Sequence, residues 1–217
     1  APDNTAVIRE PDVLSEYDTE EEYYKNMLGF NTTKEMADSM VAEYKMMSDS
    51  VKKYHGFYIG RYELTGTLDN PMVREGKVLT DLQDEAGNWY GLYKACQNVI
   101  ENNSEVKSTM IYGCEWDETC NWLSKNGYNV NDSSTWGNYN ESPINTGSDP
   151  RYKANEIFDL AGNYWDLTQE ALSTNMRVNR GGRYGVSGSI FPVSGRNGHY
   201  SNLNDGLNTA RVTLYIM

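Results

Sequence analysis

The chain has 217 residues, enough for one sizeable domain with a short extension. Its formal net charge is −12, from 31 Asp and Glu against 19 Lys and Arg. That balance excludes a nucleic-acid binder that works by displacing counterions and a protein docked on anionic lipid. No apolar stretch is long enough to cross a bilayer, so no membrane insertion is expected.

Residues 1–15 are polar, carry Pro2 and Pro11, and read as an arm or edge segment. Thr19 with Glu22, and Thr32 with Glu35, each match the capping box that opens a helix. After the second box, Met36, Met40, Tyr44, Met47, Val51 and Tyr54 recur at helical period, forming one apolar face to pack on the domain or on a sister chain. An oligomer would follow from the second choice. Gly56 to Thr65 is aromatic-rich and bounded by glycine, as a strand is, and a loop with Gly66, Asp69, Asn70 and Pro71 follows it. Two helices are predicted next, over 89–101 with Trp89, Leu92, Tyr93, Cys96, Val99 and Ile100 on one face, and over 115–124 with Trp116, Cys120 and Leu123 inward. Asn126 to Pro150 is rich in Asn, Ser, Gly and Thr and predicts a long ordered loop anchored by Trp136 and Tyr139. From Arg177 the chain fills with Gly, Ser and Asn, then closes on Arg211–Met217. There Val212, Leu214 and Ile216 alternate with Arg211, Thr213 and Tyr215, as in a half-buried strand.

Three cysteines, Cys96, Cys114 and Cys120, are an odd number and read as buried thiols, not as a disulfide framework. His55 and His199 stand far apart, and no zinc pattern can be drawn from these residues. Tyrosine is abundant, 17 against 4 Phe, and together with Asn, Ser and Gly gives a composition like that of a paratope.

Five landmarks come in order: Gly56–Glu63, Tyr112-Gly-Cys-Glu-Trp116, Asp159-Leu-Ala-Gly-Asn-Tyr-Trp-Asp166, Asn179-Arg-Gly-Gly182 and Arg211–Ile216. From about residue 56 to the end, this order resembles the formylglycine-generating-enzyme (sulfatase-modifying factor) family. The resemblance implies an α+β, C-type-lectin-like fold, with short helices and long irregular loops around a small antiparallel sheet. It also implies that the first and last strands pair, here Phe57–Leu64 with Arg211–Met217. Leu167 stands where the family usually has Trp, and Thr209-Ala210-Arg211 where it has Gly-Phe-Arg. The family's chemistry needs cysteines in the C-terminal segment, and none lies between Met176 and Met217. The iron of the sulfoxide-synthase relatives needs several histidines, which two distant ones do not supply. No catalytic residue and no cofactor are therefore expected. The alternatives are an oxidase of the formylglycine-generating type and a non-variable structural component of a virion or cell surface.

The 40 residues from Arg177 to Ile216 contain no Lys, Glu, Gln, Met or Trp, whereas these types fill 43 of the 176 residues before them. A Gly/Ser/Asn loop explains part of that depletion. The segment also resembles the variable region of proteins diversified by diversity-generating retroelements, in which adenines, mostly of Asn codons, are randomised and those same five residue types cannot be reached. The resemblance implies a scaffold of Arg180–Gly182, Ser187–Ser189, Pro192, Ser194, Arg196 and Arg211 around varied positions.

The chain then divides into residues 1–54, an arm and helices packing on the main domain, and residues 55–217, a lectin-like domain with a variable ligand-binding region at about 177–211. The ligand-binding candidates are Arg183, Tyr184, Val186, Ile190, Phe191, Asn197, His199, Tyr200, Leu203, Asn204, Asp205 and Leu207. Tyr184, Phe191, His199 and Tyr200 are the expected aromatic anchors. Ile190, Leu203 and Leu207 suit core packing as well as they suit a ligand. The partner implied is a protein or glycan receptor on a target cell, met by a phage tail on a virion or by a bacterial cell surface. Relatives of this fold carry structural calcium, and Asn155, Asp159, Asn163 and Asp166 supply hard oxygens. Turn and cap chemistry is the preferred account of those four.

Overall fold

The computed structural model describes residues 25, 27–82, 86–173 and 175–217. The arm at 1–15 and the capping box at Thr19 and Glu22 lie outside them. The architecture is mixed α+β, with three helices and several small sheets among the described residues.

Helix α1 spans Thr33–Tyr54. Thr32 caps it as its sequence requires: Glu35 N donates to Thr32 Oγ1 across 3.1 Å, and Thr32 N donates back to Glu35 Oε2. His55, at φ 62°, ends it in the left-handed conformation. Met36, Met40, Tyr44 and Met47 are buried, while Tyr54 at the last turn is exposed. The apolar face therefore packs on the chain's own body. Met36 and Met40 join the main core with Trp89, Tyr90, Leu64 and Leu79. Tyr44 and Met47 meet Tyr112, Cys114 and Tyr215.

Strand β1 (Tyr58–Ile59) pairs antiparallel with the last strand, β11 (Val212–Ile216), in the register Tyr58 with Leu214 and Ile59 with Thr213. On its other side β11 pairs with β4 (Val106–Met110). The first and last strands thus meet as expected, but the strand predicted over Gly56–Thr65 is interrupted. Gly60 N still donates to Val212 O, but Phe158 N takes the carbonyl of Arg61 and turns the chain out of the ladder until Leu64 N donates to Ala210 O. Thr65–Gly66 and Pro71–Met72 form the small ladder β2–β3. Nor is β11 half-buried: Val212, Thr213 and Tyr215 are all enclosed, because α1 covers the face that Tyr215 presents.

Helix α2 (Trp89–Asn98) starts at Asn88, whose side chain accepts from Tyr90 N and Gly91 N, and it packs against β4. Helix α3 (Gly113–Lys125) starts where Tyr112 N donates to Glu115 Oε2. Its Trp116, Cys120 and Leu123 lie with Ile111, Leu160 and Val193 in a second core. The short pair β5 (Lys153–Ala154) and β6 (Ile157–Phe158) follows. A four-stranded sheet then takes the order β10-β7-β8-β9, built from Trp165–Ser173 (β7), Met176–Arg180 (β8), Asn197–Tyr200 (β9) and Asn208–Ala210 (β10). Strand β10 runs parallel to β7, and the other pairs are antiparallel. All three cysteines are free and buried. Among the described residues no helix is long and apolar enough to cross a membrane.

Candidate functional site

The candidate site is the excursion between β8 and β10, and a buried frame fixes its course. Arg211 donates to the carbonyls of Gly60, Phe158 and Asp159 and to Asp166 Oδ2. Arg180 donates to Ser194 O and Asp117 Oδ1, and its guanidinium also lies near Glu170. Arg196 joins the same two carboxylates from the surface, so Asp117 and Glu170 each hold two arginines. Such charge-assisted donors fix the geometry of the loop bases as well as stabilising them.

Past Arg180 the chain turns at Gly181 and Gly182, both at positive φ. A Cβ on Gly182 would sit 2.5 Å from Phe191 O and 2.7 Å from the Tyr139 ring, so only glycine fits this close approach. The Tyr139 hydroxyl lies 2.9 Å from Gly181 O, 3.3 Å from Phe191 O and 2.6 Å from Ser133 Oγ. Burial raises this phenol, which keeps its proton for those bonds. The expected anchoring role of Tyr139 in the 126–150 loop is therefore met, and Trp136 packs against Tyr128 beside the second core. Val193 is held by Ser133 Oγ at its amide and by Trp116 Nε1 at its carbonyl. Between these fixed points, Ser187–Phe191 forms a tight turn, with Ile190 N and Phe191 N both directed at Ser187 O.

The frame leaves part of the segment to solvent. Ile190 is 72% exposed, Tyr200 51%, Leu203 43% and Phe191 36%, and Asp205 is also exposed. Arg183, Tyr184, Val186, Asn197, Asn204 and Leu207 are half-buried. The structure brings one subset together. Tyr184 packs edge-on against Tyr164, and Phe191 packs edge-on against Trp165, with ring centroids 5.6 Å apart in both pairs. Leu207 joins them through its carbonyl, which accepts from Trp165 N. Arg183 donates to Tyr184 O and lies over the Tyr184 ring. Tyr200 and Leu203 belong to the far end of β9 and the turn after it, where Leu203 N donates to Tyr200 O.

His199 does not present its ring to solvent. It is 7% exposed and faces Asn208, Asp81 and Asp205, so it is not among the aromatic side chains that a partner would touch.

Sequence reasoning passed over Tyr164, Trp165 and Leu82. The first two lie in the Asp159–Asp166 landmark, which there carries only the family resemblance, yet they back the exposed rings. Burial pushes the Tyr164 phenol up to about 12, so its hydroxyl is a neutral donor near physiological pH. Leu82 is exposed beside Gly206, and nothing in its local sequence marks it.

Of the four residues considered for calcium, three place a side-chain oxygen on protein donors, while Asp159 Oδ1 and Asp166 Oδ1 have no partner among the described residues. Asp159 Oδ2 accepts from Thr146 Oγ1 and Gly147 N, Asn163 Oδ1 accepts from Asn138 Nδ2 and Ile144 N, and Asp166 Oδ2 accepts from Arg211. Asn155, Asp159 and Asn163 all adopt positive φ, the conformation that Asx turns favour. Glu63 is enclosed beside Asp159 and Asp166, accepting from Asn163 Nδ2 and Tyr164 N. Desolvation, then its two acidic neighbours, raises its pKa well above the carboxylate range.

No protein-family model matches the chain, and no curated protein matches it. Among solved structures, it is similar to Treponema denticola variable protein 1, with a TM-score of 0.38 and 16% identity over 49% of this chain and 47% of that one. It is also similar to the protein in the crystal structure of CarF, with a TM-score of 0.42 and 14% identity over 78% of this chain and 63% of that one. The chain therefore spans less than two thirds of the length of either, and likenesses this distant transfer no role to any residue.

Proposed function

We propose that this chain is a ligand-binding variable protein. It presents a diversified C-terminal surface on a C-type-lectin-like scaffold of the formylglycine-generating-enzyme type, with α1 packed on that body. The observation that carries the reading is a division of labour inside one segment. Side chains assigned to scaffold, Arg180 and Arg211, are completely buried and hydrogen-bonded to backbone, while Ile190, Phe191, Tyr200 and Leu203 stand outside the core. The compositional depletion of 177–216 falls on this same stretch. Exposed aromatic and apolar side chains on fixed backbone suit recognition, because they bury area without much conformational cost. The partner would be a protein or glycan receptor on a target cell, and the carrier a phage tail or a bacterial surface.

Binding is favoured over an oxidase role by the thiols. Burial raises Cys96 well above the usual thiol range and pushes Cys120 up to about 12, whereas a working cysteine needs its thiolate. Comparison of the locus between sibling genomes tests the reading. Scatter at Arg183, Ile190, Phe191, Tyr200 and Leu203, with Arg180, Gly181, Gly182 and Arg211 constant and a template repeat and reverse transcriptase nearby, is the expected result. Identical segments in every isolate would replace it with a structural component that meets one fixed partner.

A further inference from the structure

We propose that Asp81, His199 and Asp205, completed by the side-chain oxygen of Asn208, form a site for a first-row divalent transition-metal ion, zinc above all. His199 Nε2 lies 3.9 Å from Asp81 Oδ2 and 3.5 Å from Asp205 Oδ2, and one ligand atom from each residue lies within 4.8 Å of the others. A tetrahedral zinc with ligands at about 2.0–2.1 Å spaces them roughly 3.3–3.4 Å apart, so a small closure suffices. One imidazole among oxygens suits zinc and its neighbours better than calcium or magnesium, which take oxygen sets.

Two further observations favour a cation. The His199 side chain is 8% exposed and aims Nε2 into the cluster. Neither carboxylate has a Lys or Arg in ion-pair range among those residues. In addition, Asn208 Nδ2 donates to Asp81 Oδ2 at 2.9 Å and Asp205 Oδ1 at 3.0 Å, which occupies both its protons, yet it also lies 3.0 Å from His199 Nε2. Turning that amide by half a rotation puts its oxygen over the three ligands as a fourth. Asn179 must turn with it to keep their mutual bond, and it loses nothing by doing so, since its Oδ1 has no partner among the described residues. The Asp205 side chain, one third exposed, leaves an entry path. A bound ion would tie β9 and the turn at 204–207 to Asp81, more than a hundred residues away.

Chelator-treated protein titrated with zinc chloride by calorimetry should take up one ion per chain and unfold a few degrees higher in its presence. Cobalt(II) in place of zinc should show the visible absorption of a tetrahedral site. Asp205→Asn and His199→Gln should each weaken zinc at least about tenfold, while His55→Gln leaves it unchanged. Asp205 is exposed, so its variant carries the comparison if His199→Gln fails to fold. Absence of uptake, or uptake unaltered by Asp205→Asn, overturns the proposal.

Discussion

Arg211 Nε donates to Asp166 Oδ2 across 3.2 Å with both side chains wholly out of solvent. The rest of the guanidinium donates to three carbonyls on two other segments, so this one residue ties β11 to the loops at Gly60 and Phe158. Removing one partner leaves a buried charge without compensation, a loss of about 3–5 kcal/mol. Arg211→Met should unfold in denaturant by that much earlier than the parent, and Asp166→Asn, which keeps an acceptor, by less. Equal stability of Arg211→Met and the parent would mean the pair is structurally idle.

Stability should also rise as pH falls from neutral toward 5. Burial raises Glu63 well above its ordinary range and Asp166 to about 6, above the unfolded value near 3.8. A group whose folded pKa is raised binds its proton more readily when folded, so its contribution is fully present below the unfolded pKa and is lost as pH rises through the folded one. Denaturation between pH 7.5 and 5 should show a gain on the order of 1–3 kcal/mol, and Glu63→Gln should flatten it.

Glu43 holds α1 to the body. It accepts from Tyr93 Oη, Gln97 Nε2, Thr109 Oγ1 and Tyr112 Oη, all from elements outside its own helix. Glu43→Ala should cost roughly 2–4 kcal/mol by stranding these donors, with early amide exchange in 33–54 as the local sign.

Gly162 sits at φ 77°, and a Cβ there would fall 2.2 Å from Asn138 O. Gly162→Ala should therefore destabilise by more than about 2 kcal/mol, while Gly185→Ala, strained in φ but 3.3 Å from only the flexible end of Arg183, should cost nearer 1 kcal/mol. Thermal melts of the two compare crowding with backbone strain directly.

On the exposed rim the opposite pattern is expected. Ile190→Ser and Leu203→Ser should change stability by no more than about 0.5 kcal/mol. Once a partner is in hand, the same changes should weaken its capture. Unaltered capture would move the contact surface elsewhere.

The helices are legible because their apolar faces repeat at the helical period and, for α1, because Thr32 and Glu35 form its capping box. The pairing of the first and last strands is what the family resemblance implies, and it is present at Tyr58–Ile59. The central sheet was not legible. Thr168, Gln169, Arg177, Asn179 and Arg180 are buried polar residues, and their strands show no alternation of apolar and polar side chains. Arg177 lies over the Trp89 ring with its guanidinium carbon 3.9 Å from the centroid, a burial only a partner 88 positions upstream explains. Within the site, exposure of Ile190 and enclosure of His199 depend in the same way on distant groups. Asp81, which surrounds His199 with acceptors, gave no local sign of doing so.

The pairing of β1 with β11 also sets how the body would answer to force. Antiparallel pairing places the start of one strand beside the end of the other, so Tyr58 lies against Leu214 while α1, just upstream, crosses β11. Force that draws Tyr58 away from Leu214 would open this two-residue ladder pair by pair, without shearing it as a block. The load would then pass to α1, which lies across β11 and seats Met36 and Met40 in the main core.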